Sequence, residues 1–222
     1  MSWFETEGQA TDLETAQQAN TPFFAESGEY TAIIELACVY ASPDSQSKGL
    51  YIRFALDNGV TFDQYVNFIN REGNAFRVVK DEDGKEKKVK GLGLDQIESW
   101  DKIVKFGKPT LETQATLWGK ERQVKLLGEA IGKKVGVLVR HVKEPNQDGS
   151  KVYDKNEADA LFDLQTRKTS GQLYFKEEDN RSFSIADWLK RIEKNPILDR
   201  TNKKTKPKAD EQAKKEAENA GW

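Results

Sequence analysis

Tyr51, Arg53 and Tyr65 are the residues whose types and spacing point most directly to a chemistry. They flank the dipeptide Asn58-Gly59, and counting by two outward from that turn puts all three on one face of a strand pair. Two rings and a guanidinium on an open sheet face offer what a single-stranded nucleic acid needs, surfaces for stacking bases and a cation for phosphates. Stacking contributes about 1–3 kcal/mol per base, so two or three rings with a few cations give useful affinity. A plainer reading stands beside this one for each tyrosine taken alone: the ring covers a second core or a helix carrying Trp188. Joint placement with Arg53, and with Lys48 just before the strand, favours binding.

Further cations and rings interleave at Arg71, Phe76, Arg77 and Lys80, at the lysines of 85–90, and at Arg167, Lys168, Tyr174 and Lys176. Lys134 and Arg140 share a parity on a later strand. Phe76, Arg77, Lys134, Arg140 and Tyr174 therefore join Lys48, Tyr51, Arg53 and Tyr65 as candidate DNA-binding residues. Against the lysines of 85–90 stands a solvated surface, since Asp81, Glu82, Asp83 and Glu86 offset much of their charge. The chain ends in Gly221-Trp222 after a mixture of lysines and acids, which suits a partner-docking role for Trp222.

Catalytic chemistry finds little support. Gly128-Glu129-Ala130-Ile131-Gly132-Lys133-Lys134 differs from a phosphate loop in glycine spacing, lacks a Ser or Thr after the lysine, and closes a helix instead of opening one. The chain has one Cys and one His, too few for a structural zinc site or an internal disulfide. Cys38 reads as packing and His141 as a structural histidine in a Val-rich strand. Acids are plentiful enough for a magnesium-dependent nuclease, but Glu35, Asp57 and Asp63 form no tight cluster with a lysine. The sequence thus leads us to expect no catalytic residue, no metal and no cofactor.

The elements that must position the candidates are mostly strands. The patterns predict strands at Glu29–Ala41, Gly49–Asp57 and Val60–Phe68, the last two joined by a two-residue type I′ turn at Asn58-Gly59. On the first, Tyr30, Ala32, Ile34, Leu36, Cys38 and Tyr40 fall on one face. A charged hairpin follows over Asn74–Lys90, turning at Asp83-Gly84, of a kind that projects more readily than it packs. Helices are expected at Leu92–Phe106 and Glu121–Ile131, a strand at Lys134–Val142, a long polar connection over Lys143–Asp159, a strand at Ala160–Arg167 and a short one at Gln172–Lys176. Ser184 with Asp187 three residues later signals a last helix, whose stripe is Ile185, Trp188, Leu189 and Ile192. This order, three meandering strands, a helical crossing, then two more strands, predicts a mainly β domain with helical insertions, an OB-fold-like five-stranded barrel.

Charge is distributed unevenly over the 222 residues. Residues 1–30 hold six acids and no Lys or Arg, while residues 200–222 hold seven bases against four acids. We read 1–24 as a flexible acidic arm, 25–199 as the DNA-binding domain and 200–222 as a flexible Lys/Glu-rich tail. No run approaches the ~18 apolar residues of a membrane span, and the start lacks the order of a signal peptide, so a cytoplasmic protein is expected.

Three segments, Ser27-Gly28-Glu29-Tyr30-Thr31-Ala32-Ile33-Ile34, Lys48-Gly49-Leu50-Tyr51-Ile52-Arg53-Phe54 and Leu126-Leu127-Gly128-Glu129-Ala130-Ile131-Gly132-Lys133-Lys134-Val135, resemble bacteriophage single-stranded-DNA-binding proteins. The resemblance covers roughly residues 26–167. It implies an OB-like core that coats single strands in a bacterial host's cytoplasm during phage replication, recombination or repair, and a C-terminal tail that recruits replication or recombination proteins. The tail departs from the family's pattern, which often ends in a dense acidic run. Two other readings remain at this point: a protein-interaction module that inhibits or recruits a host or replication enzyme, and the metal-dependent nuclease.

Overall fold

The structure, a computed structural model, describes residues 24–80, 83–146 and 148–201. The bulk of the acidic arm and of the C-terminal tail, Trp222 included, lies outside the described residues. The chain is mainly β. Strands β1 (Gly28–Ala41), β2 (Lys48–Leu56) and β3 (Thr61–Ile69) form an antiparallel meander. Next come β4 (Phe76–Lys80) and β5 (Glu86–Lys90), which pair only with each other, then helix α1 (Leu92–Val104). Strands β6 (Leu111–Leu117) and β7 (Lys120–Leu126) form a hairpin, and β8 (Lys134–Pro145) and β9 (Val152–Phe162) a longer one. Short helix α2 (Ser170–Tyr174), helix α3 (Ile185–Lys194) and β10 (Ile197–Asp199) complete the fold.

The main sheet runs β10-β8-β1-β2-β3, with β9 beside β8 and the β6–β7 hairpin attached through β7 to the end of β1. It is an open sheet. β3 and β9 approach one another without a backbone ladder between them, and the Gln64 side chain spans part of the gap, its Oε1 accepting from the Ala158 N–H at 3.0 Å. Between these strands and α1 lies the main core, where Ile34, Ile52, Phe54, Val60, Trp100, Val137 and Leu161 are buried. Trp100 brings α1 onto the Phe54 ring, and the helix can sit that close because residue 93 is glycine: a Cβ there would lie 1.8 Å from the Asn67 carbonyl oxygen. At the other end of α1, Lys133 Nζ donates to the carbonyls of Val104 at 2.6 Å and Lys105 at 3.0 Å, satisfying groups the helix leaves open. No helix among the described residues is long and apolar enough to cross a membrane.

Several expectations need correction. The register of β1 on β2 shifts between Ile34 and Leu36, a bulge that inserts Glu35. One extra residue flips the alternation, so Ala32 and Ile34 face the main core with Ala37, whereas Leu36, Cys38 and Tyr40 enter a second cluster on the opposite face. Asn58-Gly59 is no two-residue turn. Leu56 and Val60 bracket a three-residue loop in which Gly59 N–H donates to the Leu56 carbonyl and Gly59 alone has positive φ, +86°. The helix expected at Glu121–Ile131 is strand β7 followed by a turn. Its Glu, Arg, Gln and Lys favour a helix in isolation, but pairing with β6 and β1 and burial of Val124 prevail. The polar connection over Lys143–Asp159 is a continuation of β8 into β9, and β9 ends at Phe162, where Asp163 Oδ1 takes the N–H groups of Gln165 and Thr166 in a turn. Gln172–Lys176 is not a strand. Thr169 and Gln172 form a capping box there and start α2. The Ser184–Asp187 box is found as expected, and α3 lays Ile185, Trp188 and Ile192 over Leu138, Ala160 and Phe162.

Candidate nucleic-acid interface

Directly opposed residues on paired strands point to the same side of a sheet. Cys38 faces Tyr51 and Tyr51 faces Tyr65, Leu36 faces Arg53 and Arg53 faces Asp63, and Ile33 faces both Ala55 and Lys134. One continuous face therefore carries Tyr65, Tyr51 and Arg53 from the candidate set and, past the β1 bulge, Lys134. Along β1 the stretch from Cys38 to Ile33 measures on the order of 15 Å. Ile33 is 48 % exposed on it, an unusually open position for an isoleucine in a central strand.

At one end of the face the β6–β7 hairpin brings a residue that the strand patterns did not single out. Trp118 and Gly119 form its two-residue loop, with φ of +51° and +71°, the pair of left-handed residues that a type I′ turn requires. The indole meets the rings of Tyr51 and Tyr65 at 5.4 Å each and Tyr40 at 5.6 Å, all near perpendicular, and is itself 49 % exposed. Beneath it Cys38, Tyr40, Tyr51, Leu117 and Val124 make the second, smaller core. The available signal was a Trp-Gly pair between two seven-residue runs, Leu111–Leu117 and Lys120–Leu126, that alternate by two. The helix-forming composition of the second run masked it.

The rings divide by exposure. Tyr51 is 0 % exposed, so its ring supports the others and offers no stacking surface. Its hydroxyl accepts from Arg53 Nη2 at 3.1 Å. Burial pushes its phenol well above the ordinary range, and the Asp63 carboxylate acts in the same direction. Tyr65 is half-buried. Its ring lies flat against Gly49, where a Cβ would come within 2.2 Å of Cζ. Tyr65 and Trp118, unlike Tyr51, thus keep part of their ring surface open to solvent.

The cations divide as well. Arg53 Nε and Nη2 donate to the Asp63 carboxylate at 2.8 and 3.3 Å, so its charge is shared with an acid on the same face. Arg122, unremarked in the sequence, donates from Nη1 to the Tyr40 hydroxyl at 3.1 Å, and its Nε is buried with no hydrogen-bond partner among the described residues. At the far end Arg167 lies 4.8 Å over the Phe162 ring and pairs with Glu29 at 2.5 Å.

Other candidates lie elsewhere. Lys48 borders a separate groove with Val39, Ala41 and Lys125. Arg140 is held under α3, donating to Asp159 at 3.1 Å and to the Asn195 carbonyl, 5.3 Å from the Trp188 ring. Tyr174 belongs to α2, where its hydroxyl donates to Glu98 and accepts from Lys90. Phe76 and Arg77 sit on the β4–β5 ribbon, apart from the main sheet. His141 pairs with Asp154 at 2.6 Å under the Phe24 ring, a structural arrangement. No group of three or more His, Cys, Asp and Glu side chains is placed to share a cation among the described residues. No protein-family model matches this chain, and no curated protein matches it significantly.

Proposed function

We propose that the protein binds single-stranded DNA without sequence preference and without catalysis, stacking bases on Trp118 and Tyr65 and drawing phosphates with Arg53 and Lys134. The observation that carries this reading is Trp118 itself. A bulky aromatic at a left-handed turn position costs about 1–2 kcal/mol relative to glycine, yet here it holds a half-exposed ring over three tyrosines beside an arginine. Such a platform accepts any base, because every base has a π-face. We further read the β9-β8-β1-β2-β3 arrangement, with β3 and β9 drawn together through Gln64, as an OB-like barrel whose seam is a side chain in place of a ladder. With the resemblance to phage proteins, the role becomes coating of single strands during phage DNA replication, recombination or repair in the host cytoplasm, with partner proteins met through the tail.

The test is a fluorescence-anisotropy titration of labelled oligo-dT with the full chain and its Tyr65→Ala and Trp118→Ala variants, repeated over a salt series. Each variant should lose roughly five- to hundredfold in affinity, the equivalent of about 1–3 kcal/mol for a stacked base, and the wild-type log–log salt slope should be negative. Wild type that fails to bind, or variants that bind as tightly as wild type, would sink the assignment.

A further inference from the structure

Strands β4 and β5 form a ribbon of their own, paired with each other from Phe76 with Lys90 to Lys80 with Glu86 and with no strand of the main sheet. A two-stranded hairpin of this size is marginal alone. Its base is anchored by Gly91 N–H to the Ala75 carbonyl and by Lys90 to Glu98, Asp95 and Tyr174. Six cations and four acids fall within residues 76–90, and three of the acids, Asp81, Glu82 and Asp83, fall in sequence between the two strands, so that the strands themselves carry five cations and one acid. The stem cations occupy both faces. Lys80 and Lys88 share one with Phe76 and Val78, and Arg77 and Lys87 share the other with Val79 and Val89. Phe76 and Val78 are 38 % and 52 % exposed, and Lys88 Nζ lies 4.6 Å from the Phe76 ring centroid.

We infer that this ribbon is a second nucleic-acid contact, one that enters the major groove of double-stranded DNA, so that the protein seats where a duplex passes into a single strand. The single-strand half of this inference rests on the function proposed above. A major groove about 12 Å wide admits a two-stranded ribbon, and five residues per strand reach about 17 Å. A ribbon that turns Phe76 and Val78 to the groove floor turns Lys80 and Lys88 towards base-edge acceptors and leaves Arg77 and Lys87 on its outer face, towards the phosphates that rim the groove, whereas a single strand would be served by one continuous track of rings, and the ribbon has one ring. Phe76 and Val78 at the groove floor suit apolar contact with thymine methyl groups.

The experiment compares three probes by anisotropy: oligo-dT of about 20 bases, a blunt duplex of the same length, and that duplex with a dT tail. The full chain is used as wild type, as the Arg77→Ala/Lys87→Ala/Lys88→Ala triple variant and as Trp118→Ala, with melting temperatures checked. The triple variant should lose roughly tenfold or more on both duplex probes, with the salt slope smaller by about 1 per phosphate contact removed, and stay within about twofold on oligo-dT. Trp118→Ala should lose on oligo-dT and on the tailed duplex and stay within about twofold on the blunt duplex. Equal loss on oligo-dT and duplex would place a single strand on the ribbon and overturn the inference, as would a triple variant indistinguishable from wild type on every probe. If Trp118→Ala leaves oligo-dT binding intact while the triple variant loses the duplex, the single-strand reading fails and the ribbon's duplex contact stands.

Discussion

The rings of Trp118 and Tyr51 meet edge to face, with centroids 5.4 Å apart and planes at 88°. One is sealed in the small core and the other is open to solvent, so a buried tyrosine fixes the orientation of an exposed tryptophan. Ring and backbone make separable contributions at position 118, because φ there is +51°. Asparagine tolerates that conformation better than alanine. Trp118→Asn and Trp118→Ala should therefore lose the same affinity for oligo-dT, while the Asn variant melts a few degrees higher, as about 1 kcal/mol of relieved strain implies. Thermal denaturation beside the binding titration checks both halves; equal melting temperatures would remove the strain argument.

Gly49 sets the position of Tyr65. A methyl group at residue 49 would overlap the ring at 2.2 Å, so Gly49→Ala must displace it. The expected outcome is an affinity loss close to that of Tyr65→Ala, with about 1–3 kcal/mol of destabilisation from overpacking. Gly128→Ala meets nothing within 4 Å and is the matched control. Urea titrations of the two variants, with oligo-dT binding measured on each, would show whether the glycine acts through the ring.

Asp63 tempers the face. Its carboxylate holds the Arg53 guanidinium through two hydrogen bonds and keeps that charge firmly in place, raising the Arg53 pKa further. Asp63→Asn keeps the size and frees one positive charge. Affinity for oligo-dT should rise severalfold at low salt, and the log–log slope should steepen by up to about 1. Weaker binding would mean that the ion pair orients Arg53 and that its net charge matters less.

How much of this was legible beforehand depended on whether a residue's partner was near in sequence. Tyr51 and Tyr65 are opposed across one local hairpin with Arg53 two residues along, and the apolar–polar alternation within each strand was enough to put all three on the polar face. A two-residue loop would have set Tyr65 opposite Ile52, so it is the three-residue loop that brings the two rings together. The capping box at Ser184 is likewise local. Trp118 reaches the same tyrosines only because β7 pairs with the end of β1 more than 80 residues earlier, and the composition of β7 speaks for a helix. Arg140 shows the converse. Its strand parity agrees with Lys134, but α3, some 50 residues on, covers it and takes up its hydrogen bonds.

Cys38 offers a check on the small core that involves no nucleic acid. It is fully buried, and burial pushes its thiol up to about 11. Thiolate is the reactive form, so at pH 8 the native protein should react with a thiol reagent only as fast as it opens, and at once in denaturant. Rapid labelling of the folded chain would mean that the cluster around Tyr40, Tyr51 and Leu117 is loosely packed.

The bulge at Glu35 gives β1 a property that no single side chain on it possesses. Because the strand serves the main core alone before that residue and both cores, on alternate residues, after it, its tolerance to change is a matter of arithmetic. Glu35 is exposed and exchangeable for many polar residues. Deleting it would exchange the occupants of the two cores from Leu36 onward, turning Tyr40 inward and Ala37 outward. Among natural variants of this chain, substitutions at position 35 should be common and length changes between Ile34 and Leu36 absent.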